Sequence, residues 1–246
     1  YLTIQKLIIY PMTGVSTNSI QFTVIVPILN EISLLPQFVL HINNQWYSPQ
    51  ELIIVDGGST DGSWEWLQNN PSIRSYQSRP GRACQMNYGA EKAGNAWLYF
   101  VHVDSKLPEN FDLLLTQAIK KGAQAGCFQL KFDRANWILR CAANGSRWNH
   151  ILCRGGDQSL FIDKNTFEQL GGYDSRYLVC EDIHFIRKLY RKGGFHVLPQ
   201  KIQTSSRRFY ENGVFRLLFH FGALHLSHWL GAGPKFLQQY YVKYIS

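Results

Sequence analysis

From Phe22 onward the chain repeats a short apolar block, a polar break and a longer amphipathic stretch. Phe22-Thr23-Val24-Ile25-Val26, closed by Pro27, and Glu51-Leu52-Ile53-Ile54-Val55, ending at Asp56, are β-branched runs of strand length. Between them Ile32, Leu35, Val39 and Ile42 recur at helical spacing, which predicts a helix from Glu31 to Ile42. Gly57-Gly58-Ser59-Thr60 reads as a turn, with Asp61 as the expected N-cap of a helix carrying Trp64, Trp66 and Leu67. A short strand is expected from Ile73 to Gln77, then a helix from Gly81 to Ala93 stopped by Gly94-Asn95. Ala96 to Val103 is so apolar that it predicts a strand covered on both faces. It runs out at His102 and Asp104, and Pro108 is the expected opening of the next helix.

The second half continues with a helix from Phe111 to Lys120 and a strand from Ala125 to Phe132. A helical region from Asn136 to Leu152, interrupted near Gly145, follows, then a short strand from Ser159 to Ile162 and a helix to Leu170. Gly171-Gly172-Tyr173-Asp174 is a turn, Asp182 to Lys192 a helix and Phe195 to Leu198 a strand. Strands alternating with helices predict an α/β fold with a mostly parallel, Rossmann-like sheet and right-handed crossovers. In such sheets ligands sit beyond the carboxyl ends of the strands. Three of the predicted strands end there in Asn30 and Glu31, in Asp56, and in His102 and Asp104. Asp104 suits either a helix cap or a ligand for a hard cation.

Residues 213–246 differ. Val214 to Leu230 reads as a mostly apolar helix of about 16 residues, shorter than the roughly 20 of a membrane span. It suits an amphipathic helix lying on a membrane surface, or one that covers the sheet or meets a second copy as a homodimer. We expect residues 1–20 to be a poorly specified leader, without a signal peptide or transmembrane helix, and 21–212 to be one domain. Within it, 21–105 forms the nucleotide-binding half and 106–212 the acceptor half.

With 45% hydrophobic and 17% charged residues among 246, the chain can bury a core. Its net charge of +8 favours anionic partners, but no nucleic-acid motif accompanies it, and no nucleic acid is expected. Five scattered cysteines, Cys84, Cys127, Cys141, Cys153 and Cys180, suggest reduced thiols in a cytoplasmic setting, at most peripheral to a membrane. His150 with Cys153, and Cys180 with His184, have zinc-ligand spacing but no glycine-rich knuckle.

Val26-Pro27-Ile28-Leu29-Asn30-Glu31 and Val55-Asp56-Gly57-Gly58-Ser59-Thr60-Asp61 resemble the VPxxNE and VDDGSxD motifs of family 2 glycosyltransferases, which have the A-type nucleotide-sugar fold. The resemblance runs on through Arg79-Pro80-Gly81-Arg82 with Asn87 and Gly89, then His102-Val103-Asp104, Gly155-Gly156-Asp157-Gln158 and Cys180-Glu181-Asp182. It implies an inverting transferase that takes a sugar from a UDP- or GDP-sugar to a carbohydrate, lipid or small-molecule acceptor. A divalent metal, Mg²⁺ or Mn²⁺, is implied on the diphosphate, with Asp104 as its ligand.

The same resemblance places Asp182 as general base, with Glu181 beside it in the catalytic pair. Asp56 can grip a base edge, Pro27, Asn30 and Glu31 shape the nucleotide pocket, and Gly58 lets the backbone approach closely. Arg79 and Arg82 suit phosphates at a helix start. Asp157 and Gln158 lie in the loop where related enzymes touch sugar or acceptor. Arg207, or Arg208 beside it, could return a cation to the diphosphate, and Trp137 and Trp148 could stack on a sugar. His102 stands where the family carries the first Asp of its DxD. A neutral imidazole there can donate a hydrogen bond or ligate a metal. A nucleotidyltransferase and a non-catalytic nucleotide-sugar-binding protein are the alternatives. Against the first, a glycine-rich basic loop is missing after the first strand.

Overall fold

A computed structural model of the chain describes residues 20–245; residues 1–19 of the expected leader lie outside that range. One seven-stranded sheet organises the rest, in the order β3-β2-β1-β4-β6-β5-β7. Its strands are β1 (Phe22–Ile28), β2 (Glu51–Asp56), β3 (Arg74–Gln77), β4 (Trp97–Phe100), β5 (Ala125–Phe132), β6 (Leu160–Asp163) and β7 (Phe195–Thr204). The first four run parallel, β6 is antiparallel to both neighbours, and β5 pairs with β7 in parallel. The expected mostly parallel α/β sheet is therefore present, with one strand reversed in its middle.

Period-2 alternation divides the core between the faces. On one face Phe22, Val24 and Val26 of β1 and Tyr99 of β4 pack under α1 (Leu35–Gln45), α2 (Ser63–Gln68) and α4 (Phe111–Lys120). On the other Ile25, Leu98 and Phe100 pack under α3 (Arg82–Lys92), α6 (Lys164–Gln169) and α7 (Glu181–Lys192). Burial on both faces is why the strands read as continuous apolar runs.

Several boundaries move from their expected places, each for a local reason. Helix α1 begins at Leu35 rather than Glu31, because Pro36 fits only its first turn. Asp61 does not cap α2. Gly62, at φ 95°, holds that position, and the Asp61 carboxylate accepts from the Ser63 and Ile32 N–H groups. Strand β4 ends at Phe100, after which Ser105 N–H bonds back to the His102 carbonyl in a turn. Pro108 does not open α4, which starts three residues later behind left-handed Asn110. Strand β7 runs on to Thr204, because the register slips from Phe128↔Leu198 to Gln129↔Lys201 and so bulges out Pro199 and Gln200. The expected helical region after Asn136 resolves into α5 (Trp137–Gly145) and a short 3-10 turn at Ile151–Cys153.

The C-terminal region folds as α8 (Arg207–Asn212), α9 (Val214–Trp229) and α10 (Pro234–Tyr244), where the sequence pattern had indicated one helix. Leu217 and Leu224 of α9, Leu237 of α10 and Ile245 pack on Phe132, Leu139, Tyr177 and Phe209. The outer face of α9 exposes Phe215, Phe219, Leu226, Trp229 and Leu230, each 55–71% accessible. No helix among the described residues is long and apolar enough to cross a membrane.

Helix α3 crosses the sheet at Gly89. A Cβ there would sit 2.5 Å from Ile25 Cγ2 and 3.3 Å from Val55 Cγ2. In an unconstrained helix Gly→Ala is stabilising by about 1 kcal/mol. Here we expect Gly89→Ala to destabilise by about 1–3 kcal/mol, because the added carbon overpacks the helix–sheet seam. Chemical denaturation measures this, and a stabilised variant would contradict the packing.

Candidate active site

A cavity of about 710 Å³ opens beyond the carboxyl ends of β1 and β4. Pro27 and Glu31 line it from the end of β1, and His102 and Asp104 from the turn after β4. Gly81 and Arg82 enter at the start of α3, Cys180 and Asp182 at the start of α7. Gly156 and Asp157 come from the loop before β6, and Thr204, Arg207 and Arg208 from the end of β7 and α8. Two helix N-termini thus face one space, which favours anions there.

Arg82 ties the two helix starts together. Its Nε lies 2.7 Å from Glu181 Oε1, and Glu181 is only 1% exposed. Burial pushes the Glu181 carboxyl up to about 7; Arg82 pulls it down and Asp182 adds to the rise. Its second oxygen has no hydrogen-bond partner. Burial works against the Arg82 charge, but Glu181, Asp182 and Asp157 surround it and hold its proton more firmly than an ordinary arginine's.

His102 is driven the other way. Burial first and Arg82 second push it down to about 4, against Asp104 and Asp182, so it is neutral at pH 7. Desolvation also raises Asp104, with Asp157 adding to the effect and His102 opposing it. Asp157 and Glu31 are raised as well, each first by burial; Asp182 adds to the first and Asp104 to the second. These acids line the same cavity as Arg82, Arg207 and Arg208.

Gly156 is what allows the closest approach. A Cβ at that position would collide with Asp182 Oδ2 and come within 3.3 Å of His102 Nε2. The bare backbone therefore leaves Asp182 and His102 flanking the same small volume. Asp182 also accepts from the Ile183 N–H at 2.7 Å, which fixes its rotamer on the first turn of α7. That turn is entered through Cys180 at φ 62°.

Of the residues singled out in the sequence, Pro27, Glu31, Arg82, His102, Asp104, Asp157, Asp182 and Arg207 line this cavity. Other expected residues stand outside its lining. The Asp56 carboxylate is fully buried and accepts from the Gly58 and Ser59 N–H groups and the Ser59 hydroxyl, so it stiffens its own turn. Gly58, at φ 95°, provides the bend that this requires. Asn30 accepts from Thr60 N–H, and Gln158 is buried against Arg154 and the Cys153 carbonyl. Arg79 is exposed. Trp137 and Trp148 are 68% and 61% exposed and line no part of the cavity. Glu181 sits behind Arg82, in the wall of a separate void of about 20 Å³.

Sequence reading missed Gln85, whose amide donates to the Ile28 and Val55 carbonyls and stitches β1 to β2 at the cavity floor. It also missed the contribution of the C-terminal helices. Leu218, Phe221, Leu224 and His225 of α9 and Tyr241 of α10 complete the cavity wall. Their helical spacing was visible, but not the direction in which α9 folds back.

The zinc-like spacing is used differently. His184 Nδ1 faces His228 Nε2 at 3.3 Å, Tyr177 stacks on His184 at 4.4 Å, and α9 is fastened to α7. No group of three His, Cys, Asp or Glu side chains poised to hold a metal occurs among the described residues.

The Glycosyl transferase family 2 model matches residues 23–169. "Uncharacterized glycosyltransferase YibD" of Escherichia coli K12 is 25% identical over 193 residues, 67% of this chain and 55% of that protein. A "PGL/p-HBAD biosynthesis glycosyltransferase" of Mycobacterium bovis BCG is 27% identical over 176 residues, 67% of each chain. This chain thus spans about half the length of the first relative. Among solved structures, Staphylococcus aureus TarS 1-349 in complex with UDP aligns over 92% of this chain and 70% of its own, with TM-score 0.64 and 16% identity. The mannosyltransferase PcManGT from Pyrobaculum calidifontis, in complex with GDP-Man and Mn²⁺, aligns over the same shares with TM-score 0.65 and 20% identity. At those identities the likeness establishes the fold.

The histidine fastening predicts a pH dependence for the wall that α9 supplies. Burial first, then His184, Arg187 and His225, push His228 down to about 4 from an ordinary 6.5, against the pull of Asp182. His184 is lowered too, by burial and Lys188, with Asp174 opposing. Between those pH values the unfolded chain binds more protons at His228, so its contribution is complete above about pH 6.5 and is lost as pH falls toward 4. Melting temperature against pH should fall less steeply in this window for His228→Leu than for the wild type. Identical slopes would remove the role.

Proposed function

The chain belongs to glycosyl transferase family 2, and from that membership we propose that it moves a sugar from a nucleoside-diphosphate sugar to an acceptor hydroxyl, with inversion at the anomeric carbon. The observation that carries this reading is the placement of Asp182 on the first turn of α7, lining the cavity that Arg82 and Asp104 also line. A carboxylate there can take the acceptor's hydroxyl proton. The acceptor oxygen then forms its bond to the anomeric carbon as the bond from that carbon to the diphosphate breaks. The electron pair leaves with the nucleoside diphosphate, so no nucleophile from the protein is needed.

The leaving group develops negative charge, and Arg82, Arg207 and Arg208 line the space that receives it. Pro27 and Glu31 border the nucleoside end, while Asp56 and Gln85 hold the strand ends that carry them. Glu181 acts through Arg82, keeping the guanidinium aimed into the cavity. UDP and GDP sugars are the donors of choice, in line with the UDP and GDP-Man bound in structural relatives.

A divalent cation fits the residues present. The Asp104 carboxylate lines the cavity with one long contact, 3.5 Å from Thr204 Oγ1, and burial, with Asp157 adding, raises its proton affinity. With a single carboxylate and a neutral His102 as protein ligands, diphosphate oxygens and water would complete the sphere of Mg²⁺ or Mn²⁺. Such an ion would offset the charge of the departing diphosphate. The Mn²⁺ in the mannosyltransferase structure is consistent with this choice.

Asp182→Asn should cut transfer by about 10²–10⁴-fold while leaving UDP or GDP affinity within about twofold. Asp104→Asn should instead weaken the metal-dependent part of nucleotide binding, read by calorimetry with and without Mn²⁺. Equal loss of binding and turnover in Asp182→Asn would make that residue structural and refute it as the base.

The outer stripe of α9, with Arg216, Lys235 and Lys243 nearby in sequence, suits an anionic lipid surface. Phe219→Asp should lower co-sedimentation with anionic phospholipid vesicles. Unchanged sedimentation would set this surface role aside.

A further inference from the structure

The cavity has two chemically distinct halves. The half at the strand ends holds the carboxylates and arginines described above. The other half is walled by Phe132, Ile183, Phe209, Leu218, Phe221 and Leu224. Phe209 bridges this wall, with its ring 5.3 Å from that of Phe132 and 6.0 Å from that of Phe221. The seam between the halves runs through α7, where Asp182 faces the charged side and its neighbour Ile183 the apolar side.

Helix α9 has three apolar faces. Leu217 and Leu224 pack against Phe132, Leu139, Tyr177 and Phe209, and Phe215, Phe219 and Leu226 point outward. Leu218 and Phe221, on the arc between, line the cavity while remaining only partly buried. A helix that merely covers the sheet needs the first face alone. Arg208 lies 6.0 Å over the Phe221 ring and 5.2 Å over the Tyr241 ring, so the mouth of this half is also aromatic. Recognition of a free sugar or a polar metabolite would need several fixed hydrogen-bonding groups. Among the residues lining this half, such groups are limited to Arg208, His225 and Tyr241.

We propose that the acceptor is an alcohol carrying an apolar chain or ring, which lies along Phe132, Phe209, Leu218 and Phe221 and presents its hydroxyl to Asp182 at the seam. The assignment rests on the sugar-transfer reading for what happens to that hydroxyl, and on the wall alone for the apolar group. Burying such a group against six apolar side chains supplies affinity that the hydroxyl by itself cannot. It also excludes water from the face at which the donor sugar would be attacked, disfavouring hydrolysis of the donor.

The test uses the whole chain, with n-octyl β-D-glucoside below its micellar concentration, phenyl β-D-glucoside and glucose as probes, titrated by calorimetry. UDP and GDP, each with Mn²⁺, are titrated into the same preparations. At least one of the two apolar glucosides should bind about tenfold or more tightly than glucose, and the stronger one tells chain from ring. Phe221→Asp should lose about tenfold of that affinity while nucleotide binding stays within about twofold, and Phe221→Leu should recover most of it. If both glucosides bind no better than glucose to the wild type, the proposal is overturned, whatever the variants do. It is also overturned if Phe221→Asp retains both nucleotide and full glucoside binding. Should the glucosides bind as expected and no nucleoside diphosphate bind at all, the transfer reading falls and the apolar pocket stands.

Discussion

The Arg82–Glu181 ion pair is the constraint on which the site depends. It joins the first turns of α3 and α7, two helices that approach the same edge of the sheet from separate crossovers. Glu181 is buried with one oxygen otherwise unpartnered, so removing Arg82 would strand a carboxylate in a poorly solvated wall. The cost of burying Glu181 is offset by what it fixes. Arg82 is held as a permanent cation at the centre of an acidic cluster that would otherwise repel itself, and the neighbouring residue, Asp182, is delivered to the cavity in a set orientation.

Around that pair the electrostatics sort themselves by environment. Burial first and Arg82 second keep His102 neutral. A neutral ring there adds no negative charge to a cluster that already holds Asp104, Asp157, Asp182 and Glu31. Gly156 then permits His102 and Asp182 to share one small space, since any side chain there would separate them. The site is thus tuned by a glycine and a histidine as much as by its acids.

The glycosyl transferase family 2 match covers residues 23–169, and with them Pro27, Glu31, Arg82, His102, Asp104 and Asp157 of the cavity lining. It does not reach Ile183 of α7, Phe209 of α8 or Leu218, Phe221 and Leu224 of α9, which with Phe132 wall the other half. There the wall turns apolar, and the chemistry of the acceptor has to be read from the packing. The contact between His184 and His228 sets that wall in place, and His184 is the one member of the zinc-like pairs that it uses.

The order of strands and helices, the two-faced core and the acids at the strand ends were all legible in the sequence. Each is encoded locally: β-branched runs buried on both faces, 3.6-residue spacing on one helix face, and motif residues at fixed offsets. Boundaries slipped where one residue overrides a pattern, as Pro36 does in α1 and the Pro199 bulge does in β7. The roles of Asp56, Asn30 and Gln158 were not legible, because the hydrogen bonds that occupy them depend on loop conformation. The fold, the family resemblance and most of the charged lining can thus be read along the chain. Folding alone sets Glu181 behind Arg82, keeps His102 neutral beside Asp182 and closes the cavity with the apolar wall of α9. Burial, desolvation and the direction in which a helix returns are sums over contacts distant in the chain, and no local pattern carries them.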